Sequence, residues 1–303
     1  IDMYPPETKL DVKQREKLSS PETCKVGLRD FLVTGVTHSL IPGFEEVNHE
    51  NLTIAFVNGE ANVINDTASI SRLLEKGLPV FSLKDGYVVP GAISVSPSLG
   101  LTEMVLEEDT SDGSVSGTEI IEAADGIHMD GLMIERLRRV GVSKAVTAPI
   151  GNSFLKGVST YIDMSNHGSL DDTILKRDVA IHFNIGRTAK KGSDSSISSQ
   201  FKHLRDFLIN KPLKYKDLPI AVHTHNAEIM KHIISMKRNE FPEEKFVVVG
   251  GQEAYLIADE LAEVHIPVIV APWRCTAKFW DNRMCSPNEP LESKSSLQIL
   301  QDA

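Results

Sequence analysis

The chain has 303 residues, of which 41% are hydrophobic and 24% charged, a composition typical of a globular protein with one large domain or two smaller ones. Its formal net charge of −10 argues against nucleic acid or an anionic membrane surface as the main partner, because both require a basic face on the protein. No apolar run approaches the length that spans a bilayer, so we expect no membrane-spanning segment.

The N-terminal part of the chain divides into an arm and a small domain. Residues 1–22 are polar, and we expect them to form an extended arm. Residues 23–89 predict a small β-domain, because Phe31–Val36 and Leu52–Val57 have the composition of strands and Asn58-Gly59 is a strong hairpin signal. Short strands and turns are expected to continue to residue 89.

Residues 90–303 alternate between predicted strands and helices. Asn226 is placed to cap one helix, and Glu253–Val264 has an apolar face that predicts another. Six apolar, β-branched runs are typical of parallel strands that are covered on both faces: Ala92–Val95, Lys144–Ala148, Val179–Ile185, Pro219–Thr224, Phe246–Gly250 and Pro267–Ala271. This alternation predicts a doubly wound sheet or a (β/α)8 barrel.

The most distinctive segment, Val88–Leu101, resembles the run that leads into the first barrel strand of the amidohydrolase superfamily. The chain is similar to the imidazolonepropionase-related members of that superfamily over most of its length from residue 88 onward. Three further stretches carry the resemblance: Gly141–Pro149 with Gly157–Thr160, Leu218–Met230 and Val248–Pro272.

The resemblance implies an α/β fold, a TIM-like (β/α)8 barrel with a small N-terminal β-sandwich domain. An eighth barrel strand is not identifiable, since the chain stops at Ala303 soon after the expected helix Ser295–Leu300. We therefore expect a barrel that is incomplete in this chain. Further residues, a second chain or fragment, or a homo-oligomer would complete it and cover the open sheet edge.

Proteins of this family bind divalent metal at the mouth of the barrel, where the metal activates a water that attacks an amide or ester carbonyl. The two histidines of the family's first strand are replaced here by Ser96 and Ser98, and a serine hydroxyl is a poor metal ligand. His223 keeps the histidine of strand five, and His225 would point to the same face of a strand. With His182 they could form a three-histidine zinc site. Otherwise no metal binds, and these histidines are inherited barrel-lining residues held by hydrogen bonds.

Two functions are therefore open. The resemblance implies a hydrolase that acts on a non-peptide carbon–nitrogen bond of a small molecule, through a degenerate or relocated metal site with His223 and His225 as catalytic residues. The loss of the first-strand histidines instead favours a catalytically inactive binding or structural protein. Trp273 and Arg274 are expected to contact substrate, or else to form an oligomer or domain contact. Gly250-Gly251 fits either an anion site at a helix N-terminus or tight strand-to-helix packing.

The cysteines and two sequons bear on the compartment. Cys275 and Cys285 are close enough to pair across a short loop, which would leave Cys24 over, although the spacing alone slightly favours three unpaired thiols. Asn51 and Asn65 each begin an Asn-x-Thr sequon and are candidates for glycosylation. Two neighbouring sequons favour a secreted or luminal protein, in which a disulfide would also be favoured.

Overall fold

The computed structural model describes residues 30–40, 52–64, 66–96, 98–104, 107–113, 119–165, 169–275, 277, 279–287 and 293–303. These residues form a mixed α/β fold in two compact units, Ile1–Pro90 and Gly91–Ala303. Within the described ranges, no helix is both long and apolar enough to cross a membrane.

The N-terminal unit contains a four-stranded sheet and a helix. Its elements are β1 (Phe31–Ser39), β2 (Leu52–Val57), β3 (Glu60–Ile64), α1 (Thr67–Glu75) and β4 (Val80–Val88). The sheet order is β3-β2-β1-β4, with β1 antiparallel to β2 and parallel to β4. Asn58 and Gly59 have positive φ angles of 54° and 81°, as a two-residue hairpin turn requires. The predicted strands and hairpin are confirmed, whereas a β-sandwich stays a prediction.

Helix α1 departs from the expectation of strands and turns up to residue 89. Asp66 caps this helix, since its Oδ1 accepts a hydrogen bond from the backbone nitrogen of Ser69 at 2.6 Å. The bond satisfies one of the N–H groups that a helix leaves free at its start. Asp66 also lies within the Asn65–Thr67 sequon, and the sequon pattern hides the capping signal.

The C-terminal unit contains two sheets, with strand orders β13-β12-β11-β10-β7 and β5-β6-β8-β9. The strands are β5 (Ala92–Ser96), β6 (Val142–Thr147), β7 (Leu155–Val158), β8 (Thr160–Asp163), β9 (Ile174–Lys176), β10 (Ile181–Asn184), β11 (Ile220–Thr224), β12 (Phe246–Gly250) and β13 (Val268–Val270). Strands β10 to β13 are parallel, and β5 is parallel to β6, as predicted. No pairing between described strands joins the two sheets into a ring, so a closed (β/α)8 barrel stays a prediction.

Helices were expected at three places in this unit, after Asn226, over Glu253–Val264 and over Ser295–Leu300, and the structure has helical segments at all three and further helices elsewhere. The helices are α2 (Leu132–Arg139), α3 (Leu170–Thr173), α4 (Ile197–Ile209), α5 (Ala227–Asn239), α6 (Ala258–Glu263) and α7 (Ser296–Asp302). Asn226 caps α5 as predicted, because its Oδ1 accepts hydrogen bonds from the backbone nitrogens of Glu228 and Ile229. The apolar face of α5 then packs with the five-stranded sheet in the main hydrophobic core. The helix predicted over Glu253–Val264 is a 3-10 turn, Ala254–Ile257, followed by α6.

Strands β7, β8 and β9 were not predicted, and they break the parallel pattern. Strand β7 is antiparallel to β10, and β8 is antiparallel to both β6 and β9. The apolar run of β7 is interrupted by Lys156 and Gly157, although all four residues of the strand are buried. Buried strands usually consist of apolar residues, so a lysine inside one is an exception, and such exceptions concentrate at functional sites.

Candidate active site

A cavity of about 310 Å³ lies in the C-terminal unit where the strands end. His182 from β10, His223 from the end of β11 and His225 just after β11 line it together. Lys156 of β7 and Asp281 of the loop after β13 contribute the other ionisable side chains of the wall. The carboxyl edge of parallel strands is the usual place for a binding site in α/β folds. The cavity is therefore the candidate active site.

His182 and His223 are directly linked across two neighbouring strands. The Nδ1 of His182 and the Nε2 of His223 are 2.8 Å apart, which is a hydrogen bond that holds one proton between the rings. Burial, helped by the charge of Lys156, lowers the pKa of His182 to about 3. Burial also holds the pKa of His223 well below its usual range, with smaller contributions from His182 and Lys156. Both rings are therefore neutral at physiological pH.

His225 lies against the backbone of β12. Burial lowers its pKa, and the nearby charges of Asp281 and Glu253 partly oppose that shift. A Cβ at Gly250, where φ is +104°, would lie only 2.7 Å from Cε1 of the His225 ring. Gly250 is therefore required for the position of His225. The amide of Gly251 donates to the carbonyl oxygen of Thr224 at 2.8 Å, so this glycine pair fits strand packing better than anion binding.

Lys156 is a functional candidate that was not identified from the sequence. It is 5% exposed, and within the described part of the chain it makes no hydrogen bond or salt bridge. Burial lowers the pKa of Lys156 to about 8. Because that pKa is still above neutral pH, the ammonium form predominates and the cavity contains a buried positive charge.

Unsatisfied polar atoms are concentrated at this cavity. Among the described residues, five buried side-chain nitrogen or oxygen atoms lack a hydrogen-bond partner. Three of them belong to lining residues: Nε2 of His182, Oγ1 of Thr224 and Nδ1 of His225. Because buried polar groups in native proteins are nearly always paired, such a group at a cavity indicates that something else binds there.

The loop after β13 closes one side of the cavity through Asp281. One oxygen of Asp281 accepts a hydrogen bond from the backbone nitrogen of Arg187 at 2.7 Å, and the other lies 3.5 Å from Nε of Arg187. The same loop contains a disulfide between Cys275 and Cys285. The expectation that these two cysteines are unpaired is therefore wrong, because the loop folds back on itself and brings their Cα atoms to 5.8 Å.

Gln252 and Glu253, which follow β12, fix this loop from the other side. Glu253 is 2% exposed, and its carboxylate accepts from the backbone nitrogens of Ala227 at 2.9 Å and Met284 at 2.8 Å. The side-chain oxygen of Gln252 accepts from Nδ2 of Asn282 at 2.9 Å. Their role in holding the loop could not be recognised from sequence, because both contacts join residues about thirty positions apart.

Other predicted site residues lie away from the cavity. Ser96 ends β5, but its side chain is outside the described set, and Ser98 is half-buried and does not line the cavity. Trp273 and Arg274 form a cation–π pair, with the guanidinium carbon 4.7 Å from the ring centre, and neither lines the cavity. Their contact with substrate stays a prediction. Three further predicted residues lie outside the described part of the chain: Cys24, Asn51 and Asn65.

The histidines do not fit the predicted zinc site as they are arranged. Two nitrogens that bind one tetrahedral zinc at about 2.0–2.1 Å lie about 3.3 Å apart. The facing nitrogens of His182 and His223 are closer, at 2.8 Å, and are satisfied by each other. In the part of the chain that the structure describes, no group of three or more His, Cys, Asp or Glu residues is placed to hold a metal ion.

Comparison with known proteins supports the family resemblance at a general level. No protein-family model matches the chain. Amidohydrolase tasK of Hapsidospora irregularis is 25% identical over 338 residues, covering 92% of this chain. The chain spans about a third (34%) of the length of that relative. A crystal structure of an amidohydrolase from Thermotoga maritima MSB8 matches with a TM-score of 0.68 at 20% identity, over 84% of this chain and 73% of that one.

The chain is similar to amidohydrolases. The structural likeness shows a shared fold. A closer relation to imidazolonepropionase stays a prediction.

Proposed function

We propose that this protein is a hydrolase that cleaves a non-peptide carbon–nitrogen bond of a small molecule bound in the cavity. One observation carries the proposal: three neutral imidazoles line a single cavity, and two of them have a buried nitrogen atom with no hydrogen-bond partner among the described residues. The similarity to amidohydrolases supports the reaction class. A shared fold alone would not support the reaction class, since one fold hosts many reactions.

His225 is the general base in this proposal. Its lowered pKa keeps the ring neutral at physiological pH, and a neutral imidazole that lines the cavity can accept a proton from a bound water. Water adds to the carbonyl carbon as His225 takes its proton. The carbon–nitrogen bond then breaks as that proton passes to the leaving nitrogen, so the products are a carboxylic acid and an amine.

His223 is the second catalytic residue of the proposal and contacts the substrate beside His225. The hydrogen bond from its Nε2 to His182 fixes the orientation of its ring. Fixed rings of this kind keep reacting groups in place without a reorganisation cost during the reaction. No step is assigned to a metal ion, because the His182–His223 pair does not fit one as it stands.

The test is a screen of lactams, cyclic imides and N-acyl amines, with the released amine or acid detected by liquid chromatography and mass spectrometry. For any substrate found, His225→Ala should lower kcat/KM by about 100-fold or more, the usual value of a general base. His232→Ala, an exposed histidine on α5, is the matched control and should leave kcat/KM unchanged.

Two outcomes would contradict the proposal. Equal turnover by the wild type and His225→Ala would remove the named base. Absence of turnover of the whole panel, with and without added zinc or manganese, would favour the second candidate, a binding protein without catalysis. The replacement of the family's first-strand histidines by Ser96 and Ser98 is the observation that favours this second candidate.

A further inference from the structure

Lys156 places a positive charge in the cavity, and no acidic side chain of the described residues pairs with it. The one acidic side chain among the described residues of the wall, Asp281, already has both carboxylate oxygens within reach of Arg187. The three histidines of the wall are neutral at physiological pH, because burial lowers the pKa of each. Proteins seldom keep a buried cation without an anion beside it, because its desolvation is costly.

His182 offers a second, independent contact near this lysine. Its side chain is 4% exposed, and its Nε2 is buried without a partner among the described residues. Lys156 lies beside His182, because the next residue, Gly157, pairs with His182 between β7 and β10, and both side chains line the same cavity. If Nε2 of His223 donates to Nδ1 of His182, then neutral His182 carries its proton on Nε2 and presents a donor.

We propose that Lys156 and His182 bind the carboxylate of a small substrate, so that the hydrolase substrate is a carbon–nitrogen compound carrying a carboxylate group. A carboxylate has one negative charge and two acceptor oxygens, and it matches one ammonium and one neutral N–H donor. A phosphate dianion would leave its second charge unpaired in the buried wall. That this compound is hydrolysed rests on the proposed function, whereas the binding of its carboxylate does not.

Binding can be tested without any hydrolysis. Butyrate and its neutral isostere butyramide are titrated into the protein and followed by saturation-transfer NMR and by the shift in melting temperature. Butyrate should bind at least about tenfold more tightly than butyramide, since charge-assisted hydrogen bonds are about twice as strong as neutral ones. Bound butyrate should also raise the melting temperature, because it binds only the folded state.

Lys156→Met should remove the preference for butyrate over butyramide while leaving the folded protein at least as stable as the wild type. The reason is that methionine fills a similar volume and carries no charge to desolvate. Lys156→Gln is a second neutral variant in case the methionine variant folds poorly. Lys216→Met, an exposed lysine outside the cavity, is the matched control and should keep the preference. His182→Phe should weaken the binding of both compounds, and that of butyrate more, because only the bond to the carboxylate is charge-assisted.

Three results would overturn the inference: equal binding of butyrate and butyramide, full butyrate preference in Lys156→Met, or equally effective competition by inorganic phosphate. The two proposals fail separately. Butyrate preference without turnover of any substrate would leave the carboxylate site standing and remove the hydrolase. Turnover of uncharged amides with no butyrate preference would support the hydrolase and remove the carboxylate site.

Discussion

Two charged side chains near opposite ends of strand β7, Glu122 and Lys156, have different surroundings. At one end, Glu122 forms a β-bridge with Val158, and its side chain is 11% exposed. Its carboxylate accepts hydrogen bonds from Lys214, from the hydroxyl of Tyr215 at 2.9 Å and from Nε of Arg177 at 3.1 Å. At the other end Lys156 is more deeply buried, with 5% of the residue exposed, and has no such partner among the described residues.

We interpret the charge of Glu122 as structural and that of Lys156 as functional. The donors around Glu122 lower its pKa, the hydrogen bond from Lys214 most of all, so the group is stabilised in its charged form. The surroundings of Lys156 lower its pKa by burial alone, which disfavours its charge. A protein keeps such an unfavourable charge where a ligand completes the site. Variants at the two ends should therefore affect different properties.

The largest effect is expected from a small change at the cavity end. Gly250→Ala adds a Cβ that would lie 2.7 Å from the His225 ring, so the ring or the strand must shift. Displacement of a catalytic group by about 1 Å can cost about 100-fold in rate, and we expect kcat/KM for hydrolysis to fall by that order. Steady-state kinetics on the substrate found by the screen would measure it.

Gly141→Ala is the matched control for this variant. Gly141 has a similar φ of +90°, but a Cβ there would meet no atom within 4 Å. Both variants carry the cost of a left-handed alanine, about 1 kcal/mol, whereas only Gly250→Ala disturbs His225. Equal activity of the two variants would show that the position of His225 does not matter for turnover.

Elements with strong local signals could be predicted from sequence. Strand β11 is a continuous apolar run, and Asn226 soon after it caps α5, so the strand was predicted at nearly its observed bounds and the helix at its observed start. Strand β7 was missed because Lys156 and Gly157 break its apolar run, and helix α1 was missed because its capping aspartate lies in a sequon. In both cases the residues that break or mask the usual pattern, the lysine and glycine of β7 and the sequon before α1, hid the element from sequence analysis.

The histidines of the candidate site could be predicted from sequence, but Lys156 and the contacts between the residues could not. His182, His223 and His225 could be named from residue type and strand position, and all three line the cavity. Their mutual geometry depends on the register of β10 and β11, which pairs His182 with Ala221 and Asn184 with His223. Registry across parallel strands depends on packing between distant segments, so the His182–His223 hydrogen bond could not be read from the sequence.

At the structural end of β7, Glu122→Gln should reduce the free energy of unfolding by about 2 kcal/mol, because hydrogen bonds to a buried charged group are worth about 1.5–3 kcal/mol. Chemical denaturation would measure it, and butyrate binding should not change. Glu240→Gln removes a half-exposed partner of Arg205 and should cost less than about 1 kcal/mol. A change in butyrate binding in Glu122→Gln would contradict the claim that Glu122 affects stability and Lys156 affects binding independently.

The same carboxylate gives the stability a defined pH dependence. The folded-state pKa of Glu122 is lowered, so its contribution is present above the unfolded pKa of about 4.3 and is lost as the pH falls through the folded value. The stability difference between wild type and Glu122→Gln should therefore be constant near neutral pH and shrink in acid. A difference that stays constant down to about pH 3 would show that the lowered pKa does not contribute to stability.

The smallest effect is expected at the loop after β13, where a disulfide and hydrogen bonds constrain the same segment. The double variant Cys275→Ser and Cys285→Ser removes the covalent link but leaves the contacts of Asp281, Asn282 and Met284 in place. Each of these hydrogen bonds contributes about 1 kcal/mol, so the loop should stay closed and KM should rise by less than about tenfold. Thiol titration of the unreduced, unfolded wild type should find at most one free thiol among its three cysteines. A larger rise in KM would mean that the disulfide, and not the contacts of Gln252 and Glu253, holds the wall of the cavity.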